Sequence, residues 1–368
     1  MKRIYFFLLF LIVAGCAQKT QNTVEEGEPV AFKYATHLKI FSNGGDYYVT
    51  IRNPWDTTKI LHRYILTEKD SLTSEDYTVI HTPVDNALIF TSLHAALVKN
   101  LGCRAAIGSL CDVEYILDNE LKDDVKSGRI KDLGSSMNPD VENIILQNPQ
   151  IIMLSPYQNS GGFGLLGKTN IPLVECADYM ENSPLGQAEW IKFYGLIFNK
   201  LAAADSIFAE VEKNYIQLKN LVAECQSKPK LLANSLTGAQ WYMPTGNSTA
   251  GRFYEDAGFD FIFKYLQSYG TVLLNFESVF AKAYDADFWI VKYNRDKDYD
   301  LKSFAAEYSN YKNFKAFKEG NVYFCNLSYI PYYDETPFRP DLLLHDLVKI
   351  SHPELFEGYN LRYFTKAE

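Results

Sequence analysis

The sequence predicts an α/β protein: two Rossmann-like lobes with parallel sheets, joined by a long helical bridge and preceded by a β-rich N-terminal extension. Three observations predict it. Short continuous apolar runs such as Ile151 to Leu154 and Phe288 to Val291 alternate with segments of helical period, the pattern of strands covered on both faces. Between the two sets, Ile207, Phe208, Val211, Tyr215, Leu218 and Val222 recur at helical spacing without an intervening Gly or Pro. The chain has 368 residues, more than twice the roughly 150 of a common domain.

The elements follow in order. Residues 1–15 read as a lipoprotein signal: Lys2-Arg3, an apolar run from Ile4 to Val13, then Ala14-Gly15 before Cys16. The end of this segment resembles a bacterial lipobox, which makes Cys16 the acylated first residue of the mature chain. Ala17 to Thr23 is polar and aperiodic, a tether. It lacks acidic residues beside the cysteine, which favours the periplasmic face and leaves surface exposure open. Within residues 16–76, His37 to Asn53 alternates about Asn43-Gly44-Gly45-Asp46, a hairpin pattern, and Lys59 to Thr67 adds a strand.

Residues 77–183 form the first lobe. Strand-like runs fall at Val79 to Pro83, Ala105 to Gly108, Ile151 to Leu154 and Pro172 to Val174, with helices over Thr91 to Leu101 and Val141 to Gln147. The bridge occupies residues 184–228. It opens at Ser183-Pro184, a cap residue followed by proline at the first helical position. A break near Asn199 to Ala203 precedes a second segment of about 24 residues, roughly 36 Å long. Residues 229–368 hold the second lobe and closing helices, the alternation continuing through Lys230 to Ala233, Phe253 to Ala257, Phe288 to Val291 and Asn321 to Cys325.

The lobes echo one another. Glu142 follows Gly134, and Glu277 follows Gly270, at nearly equal spacing, each in the first turn of a helix that leads to a buried strand. One acid at a helix N-terminus is favoured by the dipole alone, by about 0.3–1 kcal/mol. A matched pair on two lobes suits a grip on basic residues of a partner.

Composition limits the chemistry. A net charge of −9 argues against nucleic acid, and no internal apolar run reaches the roughly 18 residues of a membrane span. Apart from Cys16 there are five cysteines without a Cys-x-x-Cys pair, so no zinc site is indicated, and pairing of Cys103 with Cys111 stays open. The six histidines are scattered, and Asp341 and His345 sit among leucines that indicate packing. Gly162 to Gly167 spells a dinucleotide loop, but Lys168-Thr169-Asn170-Ile171-Pro172 cannot continue as the helix that loop requires. Neither a metal nor a catalytic group is assigned, and no resident cofactor is expected.

Several segments resemble the class III periplasmic binding proteins, the cobalamin- and ferric-siderophore-binding components of ABC importers. They include Thr91 to Leu97 with Leu101-Gly102, Asn138-Pro139-Asp140-Val141-Glu142, Gln147 to Ile152, Pro184 to Lys192, Glu255 to Gly258, Leu274 to Glu277, Asn321 to Tyr323 and Pro340 to Leu347 with His352-Pro353. The chain departs from that family in its N-terminal extension and in Gln150, where Asp is usual. The resemblance implies binding and release without catalysis, a monomer anchored only by lipid, and docking of Glu142 and Glu277 on arginines of a permease dimer. It also places a ligand in the cleft between the lobes: a ferric siderophore, haem or another iron chelate, or cobalamin. Among the 54 aromatics (26 Tyr, 24 Phe, 4 Trp), those on loops at strand ends are the expected lining: Tyr115, Tyr157, Trp241, Tyr242, Tyr269, Tyr293, Tyr332 and Tyr333. Arg252 is the candidate for a ligand carboxylate, and Trp241 the candidate fluorescent reporter. Two rival readings keep the fold: a lipoprotein that sequesters haem or a siderophore without a permease, and a chelatase-like enzyme.

Overall fold

A computed structural model describes residues 27–158, 162–268 and 270–368. Cys16, its signal segment and the tether therefore lie outside the described residues. The extension forms one five-stranded sheet of β1 (Glu28–Pro29), β2 (Leu38–Asn43), β3 (Asp46–Arg52), β4 (Ile60–Thr67) and β5 (Thr78–His81), in that spatial order. β2 and β3 make the expected hairpin, closing at Asn43 opposite Asp46. Alternation buries Leu38 and Ile40 on one strand and Val49 and Ile51 on the other. β5 corrects the sequence reading: it lies parallel to β4, with Ile65 opposite Val79, and so joins the front sheet rather than the first lobe.

The first lobe instead opens on β6 (Ala87–Ile89), three fully buried residues, followed by α1 (Ser92–Asn100), β7 (Ile107–Leu110), α2 (Asn119–Lys126), β8 (Lys131–Asp132), α3 (Val141–Gln147), β9 (Ile151–Leu154) and β10 (Leu173–Glu175). The sheet order is β10-β9-β6-β7-β8, parallel throughout. The front sheet is fastened to this lobe through buried Tyr64, whose hydroxyl donates to the Leu173 carbonyl and accepts the Glu175 N–H, each at 2.9 Å.

The bridge consists of α4 (Pro184–Glu189), α5 (Ile191–Ile197) and α6 (Leu201–Ala223). Ser183 caps α4 by accepting the Gly186 N–H at 3.0 Å. The expected break falls at Asn199, which adopts φ 53°, and Gly195 lets α5 lie close to α6: a Cβ there would stand 2.7 Å from Ala204 Cβ. Two buried carboxylates of the bridge region hold the extension, Glu189 accepting the N–H groups of Lys33, Tyr34 and Ala35, and Glu181 those of Thr36 and His37.

The second lobe runs β11 (Lys230–Ala233), β12 (Leu236–Thr237), β13 (Gln240–Pro244), α7 (Thr249–Asp256), β14 (Asp260–Phe261), β15 (Thr271–Leu274), α8 (Phe276–Ala283), β16 (Phe288–Tyr293), α9 (Leu301–Glu307), α10 (Lys315–Lys318), β17 (Val322–Asn326), α11 (Tyr332–Glu335), α12 (Pro340–Ser351) and β18 (Thr365–Lys366). Its main sheet has the order β14-β11-β16-β17-β18 and is parallel except for β18. A second sheet, β12-β13-β15, is antiparallel. α12 returns along α6, so the bridge is packed from both lobes. No helix among the described residues is long and apolar enough to cross a membrane. The five described cysteines are free thiols, Cys103 and Cys111 among them.

Candidate functional site

The strands of both lobes direct their carboxyl ends at a common cleft, where open α/β sheets place ligands. The cleft has a volume of about 450 Å³. β6 delivers Thr91 and Ser92, β9 delivers Ser155, and β16 delivers Lys292. Gln187 of the bridge, Thr249, Ala250 and Phe253 of α7, and Tyr332, Tyr333 and Asp334 of α11 also line it, as do His94 and Asp178. A second chamber of about 470 Å³, lined by Tyr242 and Leu327 among others, shares Thr249, Ala250, Lys292 and Tyr333 with the first.

The cleft has a polar substructure. The Ser92 hydroxyl donates to Asp334 Oδ1 at 2.6 Å, joining α1 to α11, and burial pushes the Asp334 carboxyl above its usual range. At the wall of the cleft, buried His94 places Nδ1 2.6 Å from Thr91 Oγ1 and Nε2 3.0 Å from Asp178 Oδ1. Tyr194 donates to the same carboxylate oxygen at 2.7 Å. Burial works against charge on His94, but Cys176 and Asp178 outweigh it and raise the imidazole to about 10. Both ring nitrogens of His94 are taken up by these partners, so it borders the cleft as a buried, internally bonded histidine.

Lys292 is different. Its Nζ lies 4.8 Å from the centre of the Tyr332 ring and 5.6 Å from that of Tyr333. Burial opposes its charge, yet the phenol oxygens of Tyr332, Tyr333 and Tyr254 prevail and hold the ammonium protonated. No carboxylate among the described residues stands within the 4.0 Å of an ion pair. The described residues also contain no group of three or more His, Cys, Asp or Glu side chains placed to hold a metal ion.

The lining expected from sequence is partly brought together. Tyr332 and Tyr333 line the cleft, and Tyr242, 45% exposed, lines the second chamber. Trp241 is a correction. β13 alternates, so while Tyr242 faces out, Trp241 is wholly buried, stacked on Trp289 at 5.8 Å and donating its indole N–H to the Ala233 carbonyl. Arg252 is a second correction: it is exposed beside a small recess with Tyr34, Tyr215 and Lys219, because the face of α7 turned to the cleft is that of Thr249, Ala250 and Phe253. Tyr293 packs on Tyr299 and donates to Asp298, outside both chambers. Tyr115 and Tyr157 are exposed and line neither chamber, and Tyr269 lies outside the described residues. Sequence reasoning missed Ser92, Lys292, Thr249 and Asp334. Lys292 carried a usable signal, since it immediately follows the apolar run of β16 where a strand-end ligand residue belongs.

Glu142 and Glu277 stand in the first turns of α3 and α8, both exposed. Neither is needed as a cap: Asp140 accepts the Asn143 N–H at 3.0 Å and Asn275 the Ser278 N–H at 2.9 Å. The glycines ahead of them, Gly134 and Gly270, both take left-handed φ values of 74° and 77°, a turn that other residues adopt at a cost. Exposed apolar side chains flank each glutamate in sequence, Met137 (89%) and Leu146 (79%) near Glu142, and Leu273 and Tyr284 near Glu277.

Comparison with known proteins agrees with this architecture. The chain is 28% identical over 395 residues to a protein of Methanocaldococcus jannaschii described as an uncharacterized lipoprotein, with 96% of this chain and 93% of that protein covered. In fold it is similar to a possible iron-binding (periplasmic solute-binding) protein from Staphylococcus epidermidis, at a TM-score of 0.59 and 18% identity over 74% of this chain and 100% of that one. It is likewise similar to a periplasmic heme binding protein from Pseudomonas aeruginosa, at a TM-score of 0.60 and 12% identity over 77% and 98% of the two chains. A family model described as periplasmic binding protein matches residues 112–328, from the first lobe through the bridge to β17, and the chain belongs to the periplasmic binding protein family.

Proposed function

We propose that this protein is the lipid-anchored substrate-binding component of an ABC importer, taking a ferric siderophore or other iron chelate, or a corrinoid, into the inter-lobe cleft and presenting it to the permease. The observation that carries the reading is the cleft itself, a chamber between the lobes that shares wall residues with a second chamber of the second lobe, lined by tyrosines and hydroxyls and spanned by the Ser92–Asp334 bond. Binding and release suffice; no bond is made or broken. The absence of a metal-ligating cluster among the described residues favours a metal that arrives already chelated. Glu142 and Glu277 on the two lobe tips suit charge-assisted contact with permease arginines, and acylation of Cys16 would hold the protein at the membrane outside the cytoplasm.

The test is genetic. A strain lacking this protein should fail to grow when a ferric chelate is its sole iron source, and the intact gene should restore growth. A Cys16→Ala version should restore it poorly. Growth unaffected by the deletion across ferric chelates, haem and cobalamin would contradict the proposal.

A further inference from the structure

We infer that Lys292 reads negative charge on the ligand, so that the cleft selects an anionic chelate over a neutral one of similar size. This deepens the proposed function and rests on it. Three observations carry the inference. Lys292 is the residue common to both chambers that bears a full positive charge. Three other lysines of this lobe have a carboxylate partner that Lys292 lacks among the described residues, Lys230 with Asp285 at 2.5 Å, Lys264 with Asp260 at 2.7 Å and Lys315 with Asp287 at 2.5 Å. Lys292 has aromatic faces instead, which attract a cation but accept none of its three N–H bonds in the way an oxygen does.

The acids of the cleft do not answer it. Asp334 is turned to Ser92 at 2.6 Å, and Asp178, which also lines the cleft, accepts from His94 and Tyr194 through Oδ1 and leaves Oδ2 without a hydrogen-bond partner; neither carboxylate forms an ion pair with Lys292. What stands beside Lys292 in both chambers is the first turn of α7, where Ser248 accepts the Gly251 N–H at 3.1 Å. The N–H groups of Thr249 and Ala250 have no intrahelical carbonyl to reach. An ammonium and two free amides on one wall form an acceptor-seeking surface. Carboxylate, catecholate and phosphate oxygens share the chemistry that would meet it, while a charge-neutral trihydroxamate or corrinoid face would leave the ammonium unanswered.

The experiment is equilibrium titration of the purified protein and its Lys292→Met and Lys292→Arg variants with three probes: a ferric tricatecholate, ferric citrate and a neutral ferric trihydroxamate. Wild type should bind at least one anionic probe more tightly than the neutral one, with affinity falling as salt rises. Lys292→Met should weaken anionic binding by about tenfold to a hundredfold, the value of one charge-assisted hydrogen bond, and leave neutral binding unchanged. Lys292→Arg should retain the anionic preference. Wild type preferring the neutral probe overturns the inference even if the methionine variant fails to fold. Anionic binding that Lys292→Met leaves unchanged, or weakens no more than neutral binding, overturns it while the proposed function stands. Failure of wild type to bind any chelate overturns both.

Discussion

Ser92 and Asp334 meet across the cleft floor, the hydroxyl at the start of α1 donating to the carboxylate of α11 at 2.6 Å. One lobe supplies the donor and the other the acceptor. Ser92→Ala should leave the half-buried acid without its partner and cost about 1–2 kcal/mol, read as a lower denaturation midpoint in urea. Asp334→Ser, which keeps a hydroxyl acceptor, should cost less. An unchanged midpoint in Ser92→Ala would mean that this contact contributes nothing to holding the lobes together.

His94 predicts the direction of a pH effect. Its folded value of about 10 lies above its ordinary 6.5, so protonation favours the folded state. The stabilisation is complete below pH 6.5 and is lost as pH rises toward 10. Thermal melts of wild type and His94→Gln at pH 6, 8 and 10 should show the wild-type advantage shrinking across that range. An advantage that grows with pH would contradict a charged His94–Asp178 pair.

Trp241 and Tyr242 are neighbours with opposite fates. Trp241→Ala should cost about 3–5 kcal/mol, as removal of a fully buried indole does, and Tyr242→Ala, on the exposed face of β13, less than about 1 kcal/mol. Chemical denaturation of both variants checks the contrast. Trp190, Trp241 and Trp289 are wholly buried and Trp55 is half-buried, so emission should combine a dominant blue-shifted component that a soluble quencher does not reach with a smaller component, from Trp55, that it does.

The lobe-tip glutamates predict a separation of binding from transport. Glu142→Ala with Glu277→Ala should abolish uptake in cells while ligand affinity stays within about twofold and stability within about 0.5 kcal/mol, as for exposed positions. Uptake retained at wild-type rate would favour sequestration without a permease.

Much of this architecture was legible because its signals are local. Ile151–Leu154 is apolar throughout and bounded by Pro149 and Pro156, and α3 carries its own cap at Asp140. What was not legible depends on partners distant in sequence. Val79 and Ile80 read as a strand from their own residues, but nothing local says that the neighbour is β4 rather than the first lobe. β12 has two residues, too few to show a period. Trp241 and Tyr242 differ by one position in a strand, and which of them faces the core was set by pairing of β13 with β15. A lysine after an apolar run reads as a solvated strand end; only the folding of α11 over β16 makes Lys292 a cleft residue.

The central claim is that the chelate occupies the inter-lobe cleft, and Ala250, which lines both chambers, allows a direct test. Titration of ferric chelates into wild type and Ala250→Trp, with the fold of each verified by circular dichroism, is the decisive measurement. The cleft reading predicts saturable one-to-one binding to wild type and at least about a tenfold loss in the variant, since an indole in the mouth removes the space the ligand needs. Equal affinity in the two proteins would place the ligand elsewhere and contradict it.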